Sequence, residues 1–231
     1  NMSKLLLLSN STNYGEDYLA WCDQTIADFI GDDKQSIVFV PFAGITVTSE
    51  EYTEKVNKAL SKFGITVINL DKVSDKVAAV ENASAIFIGG GNTFHLLNSL
   101  YEHKLIEAIR KAVDNDVKYV GWSAGSNVTC PNICTTNDMP ITEPPSFNAL
   151  QLVPFQINPH YTDKSIDGHG GESRQTRLTE FVIANPEARV VCLPEASYLE
   201  VVDNKITYFG SEQGLTMDRE GVIPIENNQQ L

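Results

Sequence analysis

Ser123 stands in Gly121-Trp122-Ser123-Ala124-Gly125, directly after the run Lys118-Tyr119-Val120 and before a segment able to start a helix. Flanking glycines let the backbone turn tightly enough to raise the hydroxyl at a helix N-terminus, where N–H groups and the dipole favour developing negative charge. A tight turn with a capping serine would use the same residue types. The strand before and the helix after nevertheless match what a nucleophile on a strand-to-helix corner requires. A serine hydroxyl is a poor nucleophile at neutral pH and needs a base, and the chain has 4 histidines. His95 and His103 fall in a region patterned as helix, and His169 lies in the glycine-rich Asp167-Gly168-His169-Gly170-Gly171. His160 follows the strand-like Phe155-Gln156-Ile157-Asn158 and the rigid Pro159. That placement fixes it at the same rim as Ser123 and makes it the expected base.

A carboxylate must hold the imidazole in the right tautomer and stabilise the imidazolium. Two compete for that role. Glu195 follows the strand-like Val190-Val191-Cys192-Leu193 and Pro194, mirroring the setting of His160; Asp138 sits in the loop Thr135-Thr136-Asn137-Asp138-Met139-Pro140. Rigid elements position groups better than loops, which favours Glu195, with Asp138 left as the rival or as a substrate-binding or loop-holding residue. Acyl transfer also needs N–H donors for an oxyanion. Ala124, next after the serine, is one; Gly91, closing Gly89-Gly90-Gly91, is the other, although a plain tight turn would use the same glycines. A dinucleotide site is excluded because the third glycine of its fingerprint is missing. Cys130 and Cys134 are not followed by a second ligand pair at metal spacing, so neither metal nor cofactor is expected.

These residues need a scaffold that gathers them at one rim. Short β-branched or leucine-rich runs alternate with amphipathic stretches through the first half, the pattern of a parallel sheet covered by helices. Strands are expected at Lys4–Leu8, Ser36–Val40, Ile65–Leu70, Ser84–Ile88 and Lys118–Val120, and helices at Asp17–Ile30, from Thr48 to Phe63, and from Thr93. Thr48 with Glu51 has the form of a capping box. Residues 130–154 are rich in Pro, Asn and Thr and suggest a long functional loop. Beyond it come a strand at Phe155–Asn158, a helix near Glu172–Ala184 and a strand at Arg189–Leu193. Tyr198–Val202 and Ile206–Phe209 flank Asp203-Asn204-Lys205 as an antiparallel hairpin, with a last strand near Gly221–Ile225. In open α/β sheets the ligand crevice lies at the carboxyl ends of the strands. Gly89-Gly90-Gly91, Ser123, His160 and Glu195 all follow predicted strands.

The bulk composition agrees. With 231 residues and 42% hydrophobic content, one α/β domain over residues 2–231 is expected; Asn1 precedes Met2 and is set aside as a residue left over from expression. A net charge of −13 would repel a phosphate backbone, so nucleic acid is not an expected partner. No apolar run approaches the ~20 residues of a membrane span, no secretory leader pattern is visible, and the 4 cysteines are scattered as in a reduced compartment. A cytoplasmic protein without membrane contact is expected.

With the residues assembled, the sequence resembles the peptidase E family of aspartyl dipeptidases, to which the cyanophycinases are related. The resemblance is carried by Leu5-Leu6-Leu7-Leu8-Ser9-Asn10-Ser11, Pro41-Phe42-Ala43-Gly44, Gly89-Gly90-Gly91-Asn92-Thr93-Phe94, Gly121-Trp122-Ser123-Ala124-Gly125, Thr135-Thr136-Asn137-Asp138-Met139-Pro140, Gln156-Ile157-Asn158-Pro159-His160 and Leu193-Pro194-Glu195. It implies cofactor-free hydrolysis of small peptides with an amino-terminal aspartate. It also implies a three-layer, mostly parallel open sheet of flavodoxin or class I glutamine-amidotransferase type. It maps the nucleophile onto Ser123, the base onto His160, and the third residue onto either Asp138 or Glu195. An amino-terminal aspartate calls for a cation, and a bidentate arginine suits a carboxylate best. Arg174 and Arg177, just beyond His160, are the candidates, with His169 as a helper. The expected partner is thus a small acidic peptide, with a homodimer as an allowed assembly. Two rival readings stay open: the same nucleophile acting on another acyl substrate such as an isoaspartyl peptide, and a catalytically silent small-molecule binding protein.

Overall fold

The computed structural model describes residues 3–162 and 173–231. The chain opens with β1 (Lys4–Leu8), α1 (Asp23–Ile30), β2 (Ile37–Val40), α2 (Ser49–Leu60), β3 (Val67–Asn69) and α3 (Lys76–Glu81). It continues through β4 (Ala85–Ile88), α4 (Thr93–Glu102), α5 (Leu105–Asp114), β5 (Lys118–Trp122) and the single turn α6 (Ala124–Asn127). After a long irregular stretch come β6 (Gln156–Asn158), α7 (Arg174–Ala184), β7 (Val190–Cys192) and β8 (Ser197–Val202). The last elements are β9 (Lys205–Gly210), β10 (Gly214–Asp218), β11 (Gly221–Ile225) and β12 (Gln229–Gln230).

An 8-stranded sheet has the order β12-β9-β8-β1-β5-β4-β2-β3. Its half from β1 to β3 is parallel throughout, and β8, β9 and β12 extend it antiparallel beyond β1. Parallel strands covered on both faces must be apolar on both, and these are. In β1, Leu5 and Leu7 enter one core while Leu6 and Leu8 enter the other; in β2, Val38 and Val40 oppose Ile37 and Phe39. One core takes Ile26 and Ile30 of α1 and Val56 and Leu60 of α2; the other takes Val80 of α3, Leu96, Leu97 and Leu100 of α4, and Leu105 and Ile109 of α5. Each fully buried leucine contributes about 1.5–3 kcal/mol.

The second sheet, ordered β11-β10-β7-β6, packs Ile157 and Val191 into the core that also holds α4 and α5. Its other face carries α7 through Leu178 and Val182 against Val190, Cys192 and Met217. The α/β fold and the antiparallel hairpin are as expected, the hairpin turning on Asp203 and Asn204 with φ of 50° and 72°. The separate small sheet, α3 and β10 were not. Two helices differ in extent. The helix expected from Asp17 begins at Asp23, because Leu19 is left-handed (φ 59°) and Cys22 is non-helical. The helix from Thr93 breaks in two at left-handed Lys104 (φ 58°). The capping box is present, with Glu51 N–H donating to Thr48 Oγ1 at 3.1 Å and Thr48 N–H to Glu51 Oε1 at 3.2 Å. Among the described residues no helix is long and apolar enough to cross a membrane.

Candidate active site

Ser123 follows β5 with φ 57° and ψ −113°, a conformation that costs an L-residue about 1–3 kcal/mol and persists only where its surroundings dictate it. They do so here. Ser123 N–H donates to Leu8 O at 3.1 Å, as though β5 still paired with β1, and Ser126 Oγ donates to Leu8 O and Gly121 O. Both glycines of the motif are required by space. A Cβ on Gly121 would lie 2.3 Å from Gly125 O, and one on Gly125 would lie 1.9 Å from Ile88 O.

His160 is likewise left-handed (φ 55°) and half-buried just after β6. Its N–H donates to Ser9 Oγ at 2.9 Å, while that hydroxyl donates to Leu193 O at 2.9 Å, so the end of β1 ties the β6 rim to the β7 rim. His160 Nε2 lies 2.7 Å from Ser123 Oγ, and its Nδ1 lies 2.6 Å from Glu195 Oε1. Ala196, beside that glutamate, is left-handed (φ 60°), and its N–H donates to Asn10 Oδ1 at 2.8 Å. Leu8, Ser9 and Asn10 therefore brace the neighbourhoods of Ser123, His160 and Glu195 in turn. This continuous serine–imidazole–carboxylate path has the geometry in which an imidazole can accept a hydroxyl proton while its far N–H is held by an acceptor.

Asp138 is elsewhere. Its Oδ2 accepts from Thr93 N at 2.8 Å and Thr93 Oγ1 at 2.6 Å, at the start of α4. A carboxylate there satisfies an orphan N–H and complements the helix dipole, and with Asn92 Nδ2 donating to Met139 O it fastens the long loop to α4. Of the two sequence candidates, Glu195 is the one on His160. Ala124 follows Ser123 directly and Gly91 follows Gly90, and among the described residues no backbone acceptor takes the N–H of either. Gly91 has φ 142°, and a Cβ on it would lie 2.0 Å from Ala43 O; Gly90 is the glycine pressed on the nucleophile, its absent Cβ 2.8 Å from Ser123 Cβ.

Arg174 opens α7 half-buried, with Nη1 donating to His160 O and, at 3.5 Å, to Pro159 O. Its buried Nε has no hydrogen-bond partner among the described residues. Burial, and then the neighbouring Arg177, push its pKa below the usual guanidinium value. Arg177 is exposed, and His169 lies outside the described residues. The other histidines are structural, His95 Nδ1 being 2.6 Å from Phe42 O and His103 stacking on the Phe42 ring. Among the described residues no group of three metal-ligating side chains occurs.

The model for peptidase family S51 matches residues 5–209, a span that contains the whole Ser123–His160–Glu195 path. The chain belongs to peptidase family S51. Peptidase E of a Nostoc species is 50% identical over 212 residues, covering 91% of this chain and 88% of the relative. Peptidase E of Haemophilus influenzae is 48% identical over 204 residues, 87% of this chain and 92% of the relative. Among solved structures, one from Listeria monocytogenes described with peptidase E superposes with a TM-score of 0.68 at 21% identity, covering 92% of this chain and 100% of that one. A peptidase from an acI-B1 actinobacterium gives 0.73 at 14% identity, over 100% and 96%. These two share the fold with this S51 chain. Two features of the S51 site were missed from sequence: the bracing by Ser9 and Asn10, and an aromatic group beneath the glycine loop formed by Tyr18, Tyr52 and Trp122. Residues after the first strand were the one available signal for the former.

Proposed function

We propose that the chain is a serine dipeptidase that hydrolyses small peptides bearing an amino-terminal aspartate, through an acyl-enzyme on Ser123. The observation that carries this reading is the path from Ser123 Oγ to His160 Nε2 at 2.7 Å and from His160 Nδ1 to Glu195 Oε1 at 2.6 Å. His160 takes the hydroxyl proton as Oγ attacks the peptide carbonyl carbon, and Glu195 steadies the resulting imidazolium. The N–H groups of Ala124 and Gly91 receive the negative charge that forms on the carbonyl oxygen, where one such donor is worth about 3–4 kcal/mol. As the C–N bond breaks, His160 passes its proton to the leaving amine. Water then adds to the acyl carbon, gives its proton to His160, and the carbon–Oγ bond breaks with return of that proton to Ser123. Arg174, whose Nε faces no partner among the described residues, is the cation proposed to hold the aspartate carboxylate. Arg177 and His169 are assigned only supporting parts in the same recognition.

The peptidase E relatives support this substrate class, and their coverage of nearly the whole chain supports carrying it over. A cytoplasmic setting belongs to the same proposal and is supported by the unpaired thiols of Cys22, Cys130 and Cys134. A panel of dipeptides with amino-terminal Asp, isoAsp and Glu tests the reading. The expected result is hydrolysis of Asp peptides with kcat/KM well above the other two. Preference for isoAsp would overturn the substrate assignment. Absence of all turnover, together with no labelling of Ser123 by a fluorophosphonate, would leave a binding protein.

A further inference from the structure

The glycine loop beside Ser123 rests on a hydrogen-bonded chain that the reaction scheme above does not use. Trp122 Nε1 donates to Tyr18 OH at 2.8 Å, Tyr18 OH donates to Tyr52 OH at 3.2 Å, and Tyr52 OH donates to Gly90 O at 2.9 Å. The direction is forced, because an indole N–H can only donate and a carbonyl can only accept. Each hydroxyl thus accepts one bond and donates the next, an arrangement in which successive bonds polarise one another. The ring packing leaves little freedom. Tyr52 is 6% exposed and meets the edge of Phe39 at 4.9 Å, Phe39 stacks on the fully buried Trp122 at 5.9 Å, and a Cβ on Gly89 would fall 2.3 Å from the Tyr52 hydroxyl. Trp122 precedes the nucleophile in sequence, and Gly90 lies against it in space.

A trans peptide holds its C=O and the following N–H on opposite sides. With the Gly90 carbonyl held by Tyr52, the Gly91 N–H of the same peptide must point away from the aromatic group. The other end of that residue is also held, since Asn92 N–H donates to Ala43 O at 2.8 Å. Without Tyr52, a Gly-Gly peptide would rotate readily, as residues lacking Cβ do.

We infer that Tyr52, backed by Tyr18 and Trp122, is a positioning residue that sets the Gly90–Gly91 peptide so that the Gly91 N–H is aimed to receive the oxyanion. The inference rests on the acyl-enzyme reading above. A positioned donor acts on the transition state more than on bound substrate, so its loss should fall on kcat.

Tyr52→Phe keeps the ring and removes only the donor. Deleting an oxyanion donor outright costs about 10²–10³-fold in kcat; a donor left in place but freed to rotate should cost roughly tenfold, with KM within about twofold and the pH profile of kcat unmoved. The rate of Ser123 phosphonylation by a fluorophosphonate, which also builds charge on an oxygen beside Ser123, should fall by a similar factor. Tyr18→Phe breaks the chain one link earlier, at a half-buried position, and should lower both rates in the same direction by a smaller factor; it serves where Tyr52→Phe folds poorly. Unchanged kcat and phosphonylation in folded variants would overturn the inference, as would a loss confined to KM. If the wild-type chain is phosphonylated but cleaves no Asp peptide, the substrate assignment fails while the phosphonylation rates still decide this one.

Discussion

Glu195 and Asp138 carry the same functional group, and the distances separate their work. Glu195 lies 2.6 Å from His160 Nδ1, whereas both Asp138 contacts run to Thr93. Glu195→Gln should leave the melting temperature nearly unchanged and lower kcat by roughly 10²-fold or more. That is less than the ~10⁴-fold of a fully buried carboxylate, because the Glu195 side chain is 53% exposed. Asp138→Ala, which removes the acceptor from Thr93, should instead cost about 1 kcal/mol of stability through α4, and any loss of kcat should accompany that loosening without a shift in the pH profile. Stability curves and pH profiles of the two variants check this. The thiols give a second residue-scale expectation. Burial pushes the Cys130 thiol up from an ordinary value of 9.0 to about 12 and the Cys22 thiol above that range. Since only a thiolate alkylates readily, iodoacetamide at pH 8 should label exposed Cys134 and spare those two. The same raised values mean that their neutral forms stabilise the fold fully below pH 9 and that this stability declines as the pH rises through the folded values. Mass mapping of labelled peptides tests the first point and alkaline melting curves the second.

The elements that carry the site are those whose local rules were visible in the sequence. Thr48 and Glu51 predict a helix start that the structure places at Ser49, and the terminating turn ends at left-handed Gly64 (φ 72°). Thr48→Ala should cost about 1 kcal/mol, a fall of about 2–4 °C in melting temperature for a chain of this size, with kcat unchanged. Calorimetry beside an activity assay checks it. The strands Lys4–Leu8 and Ala85–Ile88 were legible because short apolar runs closed by Ser9-Asn10 and by Gly89 are local signals, whereas β5 runs two residues past the expected Val120, through Gly121 to Trp122. Helix α3 was not, since its 6 residues give less than two turns of periodicity, and neither was β10, whose pairing with β7 is long-range and whose two-residue turn into β11, Arg219-Glu220, carries no Asn-Gly or Asp-Gly signal. The ambiguity between Asp138 and Glu195 had the same origin. Which carboxylate reaches His160 is set by the small sheet placing β6 beside β7, with Asn158 paired to Cys192. Nothing local to either carboxylate reports that pairing. Tyr18 and Tyr52 went unnoticed because apolar neighbours at helical spacing suggest core packing, and only the fold shows where their hydroxyls end.

At the scale of the whole molecule, two sheets meet so that the ends of β1, β4, β5, β6 and β7 share one rim. That arrangement joins Leu8, Ser9 and Asn10 to three otherwise distant segments. An acidic chain of net charge −13 must draw an acidic peptide by a local cation and not by its overall field, which is the part given to Arg174. Every step of the proposed reaction passes through one oxygen atom, Ser123 Oγ. The most direct test is therefore the hydrolysis of an aspartyl dipeptide by Ser123→Ala, with the melting curve recorded on the same sample. The account predicts a wild-type melting curve and turnover reduced to background; turnover at the wild-type rate in the folded variant would contradict it.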